Sequence, residues 1–94
     1  MRKYELTLVL NSDLTSENQK KVLAKIGKII TDFKGKAGKA KEWGKKQLAY
    51  PIKKKTVGIF QLMNIDLPPE AVKDLDQKLR LEDNLLRFLI VKID

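Results

Sequence analysis

From Tyr4 to Leu10 the chain alternates, with Tyr4, Leu6, Leu8 and Leu10 on one face of a half-buried strand. Asn11-Ser12-Asp13 supplies turn chemistry. Thr15 or Ser16 then caps a helix, and Ser16 with Gln19 has the spacing of a capping box. Val22, Ile26, Ile29, Ile30 and Phe33 recur on one helical stripe, while Lys20, Lys21, Lys25 and Lys28 lie off it. Gly27 within that helix costs roughly 1 kcal/mol relative to Ala. Gly35 is placed to stop the helix in a left-handed conformation.

Lys39 to Ile52 reads as a long extended arm, and Lys53 to Thr56 as the turn that ends it. Val57 to Leu67 returns as a strand, with Ile59, Gln61, Met63, Ile65 and Leu67 on one face and Phe60, Leu62, Asn64 and Asp66 on the other. Pro68-Pro69-Glu70 opens a second helix, where a missing N–H does no harm and an acid meets the positive dipole end. Its buried stripe is Ala71, Val72, Leu75 and Leu79. Leu85 to Ile93 is the last strand, with Leu86, Phe88 and Ile90 facing one way and Arg87, Leu89, Val91 and Ile93 the other.

The order β-α-β-β-α-β without a linker predicts one α+β domain over residues 1–94. The pattern is the split βαβ of the ferredoxin-like sandwich, a four-stranded antiparallel sheet. Right-handed crossovers put both helices on one face of that sheet. Phe60, Leu62, Leu89, Val91, Ile93 and Val9 then fall on the open face. That is more contiguous apolar surface than a lone soluble domain exposes, so the face is expected to meet a protein partner.

Charge adds a second feature. The 94 residues carry a net +8, with 20 Lys and Arg against 12 Asp and Glu. Nine of those lysines and a single acid, Glu42, lie between Lys34 and Lys55, so the whole net charge sits on one hairpin-sized piece. Lysines at this density repel one another, and a polyanion relieves the repulsion by replacing their counterions. Pro51 within the arm removes a ladder donor and belongs on an edge strand. Lysines also discourage strand addition at an edge, but that purpose needs one or two, not nine.

Other chemistries lose ground. With no Cys and no His, the chain lacks thiolate nucleophiles, disulfides and the commonest general base and metal ligand. No cofactor and no metal site are expected. Asp74 and Asp76, or Glu82 and Asp83, stand too close in sequence to share a helix face, so they read as surface acids. An acylphosphatase of the same fold needs a phosphate-cradling loop with Arg, whereas Asn11-Ser12-Asp13 follows the first strand here. The chain is therefore expected not to be an enzyme. A metabolite-sensing domain leaves nine lysines unexplained. Arg2 and Lys3 precede an apolar stretch in the manner of a signal peptide, but Glu5 and Thr7 interrupt it and no cleavage site follows. The longest apolar run, Phe88 to Val91, is far short of the roughly 20 residues that span a bilayer. A soluble protein that stays in the cytoplasm is expected.

Two RNA-binding signatures bear on the arm and the strand after it. Gly35-Lys36-Ala37-Gly38 matches the GXXG loop of KH domains, but no helix follows it, so it reads as a helix stop and a flexible lead into the arm. An RRM-like single-stranded RNA binder is the alternative with the same element order. Its third strand needs stacking rings, and Lys55-Thr56-Val57-Gly58-Ile59-Phe60-Gln61-Leu62 has aliphatic residues at two of those places.

Three pieces together carry a family resemblance. They are Met1-Arg2-Lys3-Tyr4-Glu5, Gly44-Lys45-Lys46-Gln47-Leu48-Ala49-Tyr50-Pro51-Ile52, and Leu79-Arg80-Leu81-Glu82-Asp83-Asn84-Leu85-Leu86-Arg87. The chain resembles, over its whole length, the bacterial small-subunit ribosomal protein S six family. The resemblance implies a structural component of the small ribosomal subunit that binds the central domain of 16S ribosomal RNA together with ribosomal protein S eighteen. Members commonly have Arg in the basic pair; Lys45 and Lys46 lack the bidentate fork, which favours phosphate over base contacts. Some members carry a longer acidic tail beyond the position of Asp94, which this chain is expected to lack. The expected RNA-binding residues are Arg2, Lys3, Lys39, Lys41, Lys45, Lys46, Lys53, Lys54, Lys55, Arg87 and Lys92. The expected partner-binding residues are Trp43, Leu48, Tyr50, Phe60, Leu62, Leu89 and Val91.

Overall fold

The alternating first segment forms strand β1 (Arg2–Asn11), with Tyr4, Leu6, Leu8 and Leu10 buried on one side. In the computed structural model, which describes residues 2–93, β1 is an interior strand of an antiparallel sheet. Met1, the first residue of the N-terminal motif, and Asp94 lie outside the described residues. Helix α1 (Ser16–Asp32) follows. Thr15 is its N-cap: the backbone there is extended, and the hydroxyl accepts from the Asn18 N–H at 3.2 Å. The Ser16 capping box does not form, because Ser16 is already helical and the Gln19 side chain donates to the Leu14 carbonyl instead.

The helix ends one residue earlier than expected. Lys34, at φ 66°, takes the left-handed position and donates to Thr31 O, while Gly35 donates to Ile30 O. Those two bonds make a Schellman closure. Gly35 is required for a different reason: a Cβ there would collide with the Asp66 carbonyl oxygen and crowd Leu67.

Strands β2 (Lys36–Ala37) and β3 (Lys41–Ile52) share one edge, both pairing with β4 (Lys55–Leu67). The expected arm is thus two pieces, with β2 against Asp66 and Ile65 and β3 starting opposite Leu62. Gly38 bridges them by donating to Asn64 O at 2.8 Å. The sheet therefore has five strands where four were expected, and the GXXG stretch is an edge element, not a loose lead. The turn between β3 and β4 is also tighter than expected. Only Lys53 and Lys54 form it, at φ 50° and 65°, while Ile52 pairs with Lys55. Positive φ at both central residues matches the twist of a two-residue hairpin.

A 3₁₀ turn (Pro69–Ala71) leads into α2 (Val72–Arg80), and β5 (Leu85–Lys92) closes the sheet beside β1. Its pairing slips near the start: Val9 opposes Arg87, whereas Leu10 opposes Leu85. Leu86 is thus the extra residue of a bulge; Leu85 joins the main core cluster, whereas Leu86 is buried outside it.

The core lies between one face of the sheet and the two helices. Leu6, Leu8, Leu10, Ile59 and Leu67 meet Ile26 and Ile30 of α1 and Leu75 and Leu79 of α2, all fully buried. Each such side chain contributes about 1.5–3 kcal/mol by leaving water. Lys25 of α1 meets Glu82, just beyond α2, at 2.8 Å. These elements and their antiparallel register make the α+β ferredoxin-like sandwich that the element order predicted.

Candidate nucleic-acid and partner interface

The functional geometry begins with two irregularities in β3. Trp43 is an extra residue between the pairs Glu42–Gln61 and Gly44–Phe60, and Gly44 takes φ 88° to accommodate it. The second is larger. Gln47 pairs with Val57 and Ile52 with Lys55, so Leu48-Ala49-Tyr50-Pro51 must pass while β4 advances by Thr56 alone. Pro51 falls inside this excess, where it interrupts no ladder bond. The surplus chain leans over the open face of the sheet.

Gly58 makes that possible. A Cβ at 58 would collide with Val9 Cγ1 and lie 3.6 Å from Leu48 Cδ2. The missing side chain lets Val9 of β1 and Leu48 of β3 approach over β4. Val9 is accordingly only 5% exposed, although it belongs to the open face. Arg87 of β5 donates through Nη1 to the Tyr50 hydroxyl at 2.6 Å. Val9, Leu48, Tyr50, Phe60, Arg87 and Leu89 line a mainly apolar cleft of about 280 Å³ under this bridge.

Of the expected partner residues, the structure brings Leu48, Tyr50, Phe60 and Leu89 together in that cleft. Leu62 faces the same side further along β4, opposite Thr7 and Lys41. Val91 continues the apolar row of β5, 40% exposed. Trp43 stands apart on the outer edge, half exposed, with the Lys46 ammonium 5.1 Å from its ring centroid.

The expected RNA-binding residues form two groups. Lys41, Lys45, Lys46, Lys53, Lys54 and Lys55 lie along β3 and its hairpin, and Arg87 adjoins the hairpin through Tyr50. Lys39 lies in the link between β2 and β3. Arg2, Lys3 and Lys92 sit at the other end of the sheet: Arg2 pairs with Leu67, Lys3 with Asp66, and Lys92 with Tyr4. The hairpin tip is anchored to the body by its own cations. Lys53 Nζ donates to Leu85 O at 3.3 Å, and Lys55 makes an ion pair with Asp13. That contact, first as a hydrogen bond and then as charge attraction, holds the Asp13 carboxyl below its ordinary pKa. Asp13 had no signal in the sequence, because its partner lies 42 residues away. Thr7, Gln47, Ala49, Ile52 and Phe88 complete the cleft and were also missed. Val9 carried a signal through its period-2 position on the open face.

A family model described as Ribosomal protein S6 matches residues 3–92. The chain belongs to the ribosomal protein S6 family. It is 38% identical over 94 residues to Small ribosomal subunit protein bS6 of Caldanaerobacter subterraneus, covering 100% of this chain and 99% of that one. The bS6 protein of Desulforudis audaxviator is 37% identical, with 100% of both chains covered. The crystal structure of 30S ribosomal protein S6 from Thermotoga maritima superposes with a TM-score of 0.87 at 22% identity, covering 98% of this chain and 87% of that one, and so shares the fold. Ribosomal protein S6 is a structural, non-enzymatic component of the small ribosomal subunit, which places this chain on the ribosome in the cytoplasm.

Proposed function

We propose that this chain acts as one RNA-binding domain. In this reading it holds 16S ribosomal RNA through the basic hairpin and carries ribosomal protein S eighteen on the open sheet face. The observation that carries the reading is the separation of charge from apolar surface. The net +8 is confined to the segment from Lys34 to Lys55, while the cleft and the exposed row Leu89, Val91 and Ile93 are apolar. The lysines of the hairpin suit phosphate contacts, with an affinity that falls as salt rises. Family membership makes the small-subunit RNA the fitting polyanion.

Two basic ribosomal proteins gain nothing from net charge when they meet, so their association rests on apolar burial, with RNA neutralising both. The apolar contribution of about 25 cal/mol per Å² is largely offset by lost rigid-body freedom. Affinity for the protein partner alone is then modest, and RNA and partner strengthen each other by the same factor. Calorimetric titration of the chain into ribosomal protein S eighteen, with and without a central-domain RNA fragment, tests this. Phe60→Asp and Leu89→Asp are expected to weaken partner binding while the fold persists, since neither residue lies in the buried core cluster. If both variants bind as the parent does, the interface lies elsewhere.

A further inference from the structure

We infer that the outer edge of β5 accepts an extended segment of another protein, alternately acidic and apolar, which adds to the sheet as a further strand. The two edges of this sheet are built differently. The β3 edge carries lysines, Pro51 and two bulges, all of which obstruct strand addition. The β5 edge has no proline, only Arg87 and Lys92 as charges, and a bulge confined to its start.

Its free hydrogen-bonding groups can be assigned. Ile93 N–H donates to Lys3 O at 3.1 Å, and Lys92 opposes Tyr4. Antiparallel pairs alternate between bonded and non-bonded, so the amides of Val91, Leu89 and Arg87 point to β1. The amides of Lys92, Ile90 and Phe88 point outward, where β5 has no neighbouring strand among the described residues. Both flanks of this edge have room for alternate side chains. On the open face Leu89 is 57% exposed and Val91 40%. On the helix side a groove of about 770 Å³ runs between α2 and β5, with Val72, Phe88 and Ile90 among its lining residues.

Charge selects the occupant. On the helix side Lys73 and Arg80 border the groove and Lys92 lies on the strand, against Asp76, which already pairs with Arg80 at 2.8 Å; Arg87 is turned to the open face by its bond to Tyr50. Among the described residues no carboxylate lies within ion-pair distance of Lys73, Arg87 or Lys92. A second copy of the chain is a poor occupant, because it adds another +8. A segment with carboxylates on the helix side and aliphatic side chains on the open side satisfies both flanks. This is recognition by strand addition, where backbone bonds give affinity and alternate side chains give selectivity.

The test uses the full chain and a capped synthetic peptide alternating Val and Glu, followed by amide NMR and hydrogen exchange. In the free protein the amides of Arg87, Leu89 and Val91 are expected to be protected and those of Phe88, Ile90 and Lys92 to exchange fast. Peptide should protect the second set, and a peptide alternating Val and Lys should not. Lys92→Pro removes one outward donor and leaves the β1 ladder intact, so it should bind about tenfold more weakly than Lys92→Gln, which loses the same charge. Protection of Arg87, Leu89 and Val91 in Lys92→Pro reports that the sheet is preserved. Equal affinity of the two variants would overturn the inference. So would peptide-induced shifts confined to the segment from Lys34 to Lys55, or self-association that protects the outward amides without peptide.

Discussion

Arg87 donates a hydrogen bond of 2.6 Å to the hydroxyl of Tyr50, joining β5 to the surplus loop of β3 across two intervening strands. The two residues stand 37 apart in sequence. Their contact closes the cleft against Phe60 and Leu89, and it sets a residue of the basic hairpin beside the apolar face.

Removing that hydroxyl should loosen the loop more than the fold. Tyr50→Phe is expected to cost no more than about 1 kcal/mol in urea denaturation, because the group is exposed and water replaces the bond. Hydrogen exchange of residues 48–52 should rise at the same time. Unchanged exchange there would mean that the bridge does not hold the loop.

Gly58→Ala should be far more damaging. The added methyl meets Val9 Cγ1 in the interior of the sheet, where neither strand can move aside. A loss of about 1–3 kcal/mol is expected, typical of overpacking. The check is a lower denaturation midpoint with an unchanged denaturant slope.

The ion pair of Asp13 with Lys55 predicts a pH dependence in the acid range. The folded-state pKa of Asp13 is lowered below 3.8, so the folded state binds fewer protons than the unfolded state as pH falls through that range. The stabilisation is therefore present above 3.8 and is lost as pH drops through the folded-state value. The melting-temperature gap between parent and Asp13→Asn should be open at neutral pH and close below that range. A gap independent of pH would assign the difference to packing.

Replacing Lys53-Lys54 by Asn-Gly separates folding from RNA binding. Both positions have positive φ, which Asn and Gly tolerate better than Lys, but the change also removes the Lys53 bond to the Leu85 carbonyl, so the two effects should offset and stability should change by less than about 1 kcal/mol. Each lost phosphate contact should lower the slope of log affinity against log salt by roughly 0.7–0.9. The salt slope is measured by titrating RNA at several ionic strengths. An unchanged slope would remove the hairpin tip from the RNA contacts.

Much of this molecule is written locally. Period-2 alternation places the buried faces of β1 and β4, and the helical stripe places Val22, Ile26 and Ile30 of α1. The concentration of lysines between Lys34 and Lys55 marks the basic hairpin by composition alone. Those features depend on neighbours a few residues apart, so the chain itself records them. The single edge shared by β2 and β3, the place of Leu85 in the main core cluster, and the burial of Val9 were decided by which strands meet. So was the cleft: Leu48-Ala49-Tyr50-Pro51 looks like ordinary strand until its pairing with β4 shows that only Thr56 answers it. Pairing is a relation between distant segments, and the side chains that fix it, Gly58 and Arg87 among them, show their effect only once Val9 and Tyr50 have been brought beside them.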